Sequence, residues 1–233
     1  MTSSVDRHVD RHGETARWEA PDVLVLDRAR LDLSDASWMA PARSVRARAT
    51  RSPHGLYAAL PRLERLHLLD GSAPDLDDLA GCRNLRGLTV QGVRRLTDVS
   101  AVAGLVSLEM LALYGLKDLQ VVPSLARLTL LSWVDLGRLP GLDGIEGVLA
   151  APHLTDLTFV RAVGVAPGDA GRIAASGVRR FEWFAEDVPD RVWVPFREAV
   201  GLPRSVPTTV DDWFAARDEP SPSAASGRPR HQA

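Results

Sequence analysis

One phrase recurs along this chain, and it limits the possible folds more than any other feature. The segment SLEMLALYGLKDLQVVPSLARL, starting at Ser107, carries apolar residues at Leu108, Leu111, Leu113, Leu116, Leu119, Val122, Leu125 and Leu128. The gaps run three, two, then three repeatedly. Neither an amphipathic helix nor a simple strand gives that spacing over its whole length. The same spacing returns with first apolar positions at 63, 85, 108, 131 and 154, which are 22, 23, 23 and 23 residues apart. Less regular copies flank these five. Val178, Phe181 and Trp183 follow them, Ala42, Val45 and Ala47 precede them, and Ala20, Val23 and Val25 come earlier still. Eight copies then span roughly residues 20–185.

A copy of this length cannot bury its own leucines, whereas stacked copies bury them against each other in one continuous core. The period-two Leu-x-Leu step gives a short strand with both leucines inward. The three-residue steps that follow suit turns, 3₁₀ segments or brief helices. The fold class that results is an α/β solenoid: a parallel sheet on the concave side, short convex turns and 3₁₀ segments, and a capping segment at the C-terminal end. With neighbouring strands ~4.8 Å apart, seven or eight of them make an arc about 30–35 Å long. PGDAGRIAAS (167–176) reads as a short helix with Asp169 near its start.

The phrase Leu-x-x-Leu-x-Leu, followed by apolar residues at every third position, resembles the leucine-rich repeat. Its short period is similar to the bacterial internalin-like class, above all over LTDVSAVAGLVSLEMLAL (96–113). The resemblance covers about two thirds of the chain. It implies a binding role, with partners that vary widely within the family. Family repeats usually carry Asn or Cys at the ninth position. Here that position holds Gly71, Val93, Leu116, Leu139 and Ala162, so the polar ladder is missing and packing is expected to hold the turns.

Domain organisation follows from where the repeat stops. Residues 1–17 and 217–233 are expected to be disordered, the latter being rich in Pro, Ser, Ala and Arg. The solenoid is placed at 18–185. A cap is placed at 186–216, where Trp193, Phe196, Trp213 and Phe214 fall outside the repeat phase and Thr209 with Asp212 resembles a capping box. The net charge of -2 gives no global case for a nucleic-acid or polybasic membrane protein. A single cysteine, Cys82, excludes an intrachain disulfide, and with no apolar run suited to a signal peptide the cytoplasm is the expected compartment.

Repeat phase also shows which side chains leave the core. The third position gives Arg65, Gly87, Met110, Trp133, Asp156 and Arg180. The fifth gives His67, Thr89, Ala112, Asp135, Thr158 and Glu182. The seventh gives Leu69, Gln91, Tyr114, Gly137, Val160 and Phe184. Leu69, Met110, Tyr114, Trp133, Val160 and Phe184 would share one surface, and a contiguous apolar patch of that kind marks an interface. Asp135, Asp156 and Glu182 add acidic groups at its C-terminal half, which suits a partner with apolar anchors and basic groups. These nine residues are the candidate partner-binding site, and the expected partner is a protein. The same patch is open to two other readings, coverage by the C-terminal segment and self-association. The basic stretch ARSVRARATRS (42–52) reads as a solvated strand face, and no aromatic residue is interleaved to stack on bases.

The sequence offers little for catalysis, and no cofactor or metal is expected. His8 and His12 have the spacing of a metal pair on a helix, but the Glu of the familiar motif is absent. Cys82 falls at a buried turn position. GLDGIEG (141–147) has glycines three apart without the neighbours of a phosphate loop. The alternative to a non-enzymatic binding module is an enzyme whose site uses Glu186, Asp187 and Asp190 in the C-terminal region.

Overall fold

The computed structural model describes residues 15–218 apart from Pro167 and Pro207. His8 and His12 therefore lie outside the described residues, as do the first 14 residues and those after 218. Among the described residues, nine strands form one sheet in sequence order. They are β1 (Ala16–Ala20), β2 (Val23–Asp27), β3 (Ser44–Arg48), β4 (Arg65–Leu69), β5 (Gly87–Gln91), β6 (Met110–Tyr114), β7 (Trp133–Leu139), β8 (Asp156–Val163) and β9 (Arg180–Phe184). From β2 to β9 every pairing is parallel and in register with the repeat, for example Leu66 opposite Leu88 and Leu111 opposite Val134. The chain is a leucine-rich-repeat α/β solenoid. The stacked leucines fill one core, with Leu66, Leu88, Leu111, Leu136, Leu139 and Leu157 fully buried.

The weak early copies are real strands, and one of them sits one residue from its expected phase. In β2 the buried residues are Leu24 and Leu26, opposite Val45 and Ala47, while Val23 and Val25 are only half-buried. Because strand side chains alternate, a one-residue shift exchanges the two faces. The valines satisfy the pattern as well as the leucines do, and pairing with β3 selects the leucines for the core.

From β2 to β6 each copy leaves its strand through the same left-handed corner, and β7 and β8 run on through the equivalent residue. The eighth position has positive φ in seven successive copies: Arg28, Ala49, Asp70, Gly92, Gly115, Arg138 and Arg161, at 46–69°. Only two are glycine, the residue best suited to that conformation. Backbone hydrogen bonds hold the corner in place of the missing polar ladder. The N–H groups of Arg28, Ala49, Asp70, Gly92 and Gly115 donate to the seventh-position carbonyl of the next copy, at 2.7–2.9 Å. Packing contributes as expected, since Val93, Leu116 and Leu139 are buried one residue further on.

The convex side carries 3₁₀ turns and, among the described residues, the short helices α1 (Ala36–Met39) and α2 (Glu146–Leu149). The glycines of GLDGIEG serve this stacking. A Cβ on Gly147 would lie 2.0 Å from the Val122 carbonyl oxygen, and one on Gly141 would lie 3.0 Å from that of Lys117. A third convex helix, α3 (Asp169–Ala175), forms where 167–176 predicts one, and the buried Asp169 accepts a hydrogen bond from Ala166 N–H.

The two ends are closed differently. At the N-terminal end β1 folds antiparallel onto β2, and Trp18 meets Trp38 edge-on at 6.3 Å. At the C-terminal end α4 (Asp190–Val200) sets Phe196 against Phe159, Phe181 and Trp183, with centroids 5.2–6.2 Å apart. The expected cap thus divides in two. Its second helix, α5 (Val210–Asp218), lies elsewhere, on the concave face over β5 and β6.

Gly147→Ala is expected to destabilise the protein by about 1–3 kcal/mol, the usual cost of overpacking. Gly104→Ala, where a Cβ meets nothing within 4 Å, should stay within about 0.5 kcal/mol of the parent. Urea unfolding of the two variants measures the contrast, and equal stabilities would remove the close turn approach as the reason for glycine at 147.

Candidate functional site: a concave face partly covered by the C-terminal helix

The third-position row of the sheet is covered from within. Met110 and Trp133 form a small apolar cluster with Val210, Trp213 and Phe214 of α5, separate from the solenoid core. Met110 is fully buried and Trp133 is 8% exposed. The expectation that these two stand on an open surface is corrected by this contact. Trp213 and Phe214, expected in an end cap, bury their aromatic area against the sheet instead.

The start of α5 is fixed by polar contacts. Thr209 Oγ1 accepts from the Asp212 N–H at 3.1 Å and donates to the Asp212 carboxylate at 2.7 Å. That is one half of the capping box, because the Asp212 side chain bonds the hydroxyl instead of the backbone. Asp211 accepts from Arg46 at 2.7 Å and lies 3.3 Å from His67 Nε2, outside hydrogen-bond geometry. The His67 imidazole and the Arg46 guanidinium hold the Asp211 carboxyl well below the usual range. Phe214 lies under two guanidinium groups, Arg86 at 4.8 Å and Arg65 at 5.8 Å, and Arg217 sits 3.8 Å over the Trp213 ring. Such contacts contribute most where water is excluded.

Two of the three acidic candidates have internal partners. Asp156 is buried, accepts from Nε and Nη2 of Arg180, and accepts from Ser205 at 3.3 Å. Glu182 is buried between Arg197 at 3.4 Å and Arg204 at 3.2 Å. These pairs fasten the segment that leads from α4 to α5, so neither carboxylate faces outward as the sequence reading expected. Asp135 is different. It is half-buried, accepts from Trp133 Nε1 at 3.0 Å, and makes no ion pair with any described residue. Burial pushes its carboxyl up to about 6, against the hydrogen bond from Trp133 and with a further push from Asp156.

What stays open is a groove of about 490 Å³ between α5 and the fifth and seventh rows. Leu69, Tyr114 and Val160 form its apolar wall, Thr89, Ala112 and Asp135 its floor, and Thr208 to Asp212 the opposite wall. Gly137 makes room for the Tyr114 ring, which comes within 2.3 Å of where a Cβ would be. Four of the nine candidate residues thus meet in this groove: Leu69, Tyr114, Asp135 and Val160. Phe184 is half-buried at the far end of the sheet and does not line it. Sequence reasoning missed His67, Arg46 and Asp211 as groove residues. Repeat phase placed the first two on the concave side, but nothing local to 208–212 indicated that it would cross the sheet.

The groups nominated for chemistry have other roles. Cys82 is buried and its thiol is pushed up to about 11, mainly by burial, which disfavours the reactive thiolate. Glu186, Asp187 and Asp190 are exposed. Arg161 pairs with the first at 3.1 Å, and Asp190 accepts from Trp193 Nε1. A second hollow, of about 290 Å³, opens beside Leu68 between the turns at 49–52 and 70–76, where Ala47 and Gly71 are small.

Asp135 carries a pH signature. A carboxyl whose pKa is raised by folding favours the folded state when protonated, and that contribution is lost as pH rises through about 6. Asp135→Asn should therefore be about 1–2 kcal/mol more stable than the parent at pH 8, with the gap closing between pH 6 and 4. Unfolding curves at pH 8 and pH 4.5 measure this, and a gap that does not change with pH counts against a buried ionised Asp135.

No protein-family model matches the chain, and no curated protein matches it in sequence. Among solved structures it is similar to internalin C2 of Listeria monocytogenes, at 17% identity over 69% of this chain and 80% of that one, with a TM-score of 0.43. It is also similar to internalin F of the same organism, at 15% identity over 68% of this chain and 67% of that one, with a TM-score of 0.30. On its own period, strand order and register, the chain is a short-repeat leucine-rich-repeat solenoid.

Proposed function

We propose that this chain is a non-catalytic protein-binding module whose interface is the groove between α5 and the open rows of the concave sheet. The observation that carries the reading is the pairing of an apolar wall with a lone acid. Leu69, Tyr114 and Val160 stand beside Asp135, which no described cation neutralises. An apolar side chain of a partner would bury against Tyr114, an aromatic of the kind that dominates interface energetics. A neighbouring Lys or Arg of the same partner would meet Asp135, and the low dielectric there would strengthen the contact.

This refines the broader concave-face reading. Met110, Trp133, Asp156 and Glu182 support the groove from beneath or beside it, and direct contact falls to the fifth and seventh rows. The groove suits an extended segment or a loop, because α5 narrows it from one side.

The test is affinity capture with the wild-type chain and Tyr114→Ala side by side, followed by titration of the captured protein. Tyr114→Ala is expected to weaken binding at least about tenfold, the loss of one interface anchor. Asp135→Asn should lessen the salt dependence of the remaining affinity. A partner held equally by the parent and by folded Tyr114→Ala would place the interface elsewhere.

A further inference from the structure

The cluster beneath α5 has features that a permanent part of the solenoid would not need. Its apolar residues do not join the continuous core, so the repeats retain theirs without it. The α5 helix has nine residues, too few to be stable alone in water. It follows a stretch, 202–209, with no regular secondary structure among its described residues. That stretch is held to the last strands by Ser205 on Asp156, Arg204 near Glu182, and the Phe181 N–H on the Pro203 carbonyl. The helix can leave the sheet without any strand pairing being broken.

The seat is nevertheless shaped for such a helix. A Cβ on Gly87 would lie 2.5 Å from Val210 Cγ1 and 2.7 Å from Phe214 Cε2, while the same position in the adjacent copies carries Arg65 and Met110. Glycine there opens a depression for one large side chain. Arg65 and Arg86 flank that depression, and Arg46 and His67 face the acidic first turn.

The internal occupant does not complete the polar contacts. Arg65 Nε, His67 Nε2 and Ser44 Oγ, all on the third and fifth rows of β3 and β4, are buried without a hydrogen bond. Asp211 is the α5 carboxylate that approaches His67 and Arg65, at 3.3 and 4.0 Å, and it shares Arg46 with Glu19. Unsatisfied buried polar atoms are costly, so a ligand with another acceptor at this end would fit better than α5 does.

We propose that α5 is a displaceable internal ligand, and that the seat beneath it receives a partner helix of the same chemistry, with an acidic first turn followed by adjacent bulky aromatic side chains. The inference rests on the concave face being the binding surface. It adds a second contact area, open only when α5 has lifted, and it makes partner binding compete with the chain's own helix. A tethered helix holds a high effective concentration at its seat, so the intact chain resists weak ligands and yields to a helix that supplies the missing acceptor.

The test uses the full chain and a fluorescein-labelled peptide of its own residues 205–218 (SVPTTVDDWFAARD) as the probe for this chemistry. Trp213→Ala/Phe214→Ala should remain folded by circular dichroism and bind the peptide at least about tenfold more tightly than the parent. Adding Gly87→Leu should abolish that binding, because it fills the depression, whereas adding Tyr114→Ala should not, because Tyr114 belongs to the groove wall. A folded double variant that binds no better than the parent overturns the proposal, as does binding that survives Gly87→Leu. A double variant that fails to fold overturns it too, since α5 would then belong to the folding unit. A parent chain that dimerises with concentration, and loses this in the double variant, makes the occupant a second copy and overturns the partner reading.

Discussion

Apolar side chains in this molecule are buried between copies of the repeat rather than within them. Leu88 and Leu111, or Leu136 and Phe159, are shielded only because the next copy brings an equivalent side chain to the same depth. In such one-dimensional stacking each unit depends on its neighbours, and the two outermost units have a neighbour on one side only. The ends are therefore as decisive as the middle. The N-terminal end is closed by an antiparallel strand and a tryptophan pair, and the C-terminal end by a helix that inserts Phe196. Both devices lie outside the repeat, because the repeat has no way to end itself.

The same dependence shapes the corners. After β2 to β6 a left-handed residue at the eighth position turns the chain out of the sheet, and its N–H bonds to the following copy. Arg, Asp and Ala accept that conformation although glycine would adopt it with less strain. A backbone hydrogen bond shared with the next copy compensates. This arrangement keeps the concave rows aligned from β2 to β9, so side chains at equivalent positions form columns. Without the columns, Leu69, Tyr114 and Val160 would not stand together.

Upon this regular frame the C-terminal segment sets an irregular pattern. It crosses the sheet and covers Met110 and Trp133, and it is fastened by Asp156 and Glu182. One acid, Asp135, is left half-buried and without a cation among the described residues. A surface that repeat phase alone would make uniform becomes a covered seat beside an open groove. The internal helix shows which chemistry the seat accepts: a carboxylate toward Arg46 and His67, and an aromatic ring between Arg65 and Arg86.

The sequence by itself determined the solenoid, its period, the inward and outward faces of β3 to β9, and the short helix at 169–175. These follow from local spacing, because a leucine at a fixed step in each copy has one place to go. It also nominated the groove residues Leu69, Tyr114, Asp135 and Val160 by phase. Only the tertiary structure decided the phase of β2, because VLVLD reads equally well in either register until β3 pairs with it. Only the tertiary structure showed where Trp213 and Phe214 lie, because their burial depends on contacts with residues about a hundred positions away and on a glycine at 87 that makes room for them. Periodicity reports which side of its own strand a residue faces; what comes to cover that side is settled by a segment with no period at all.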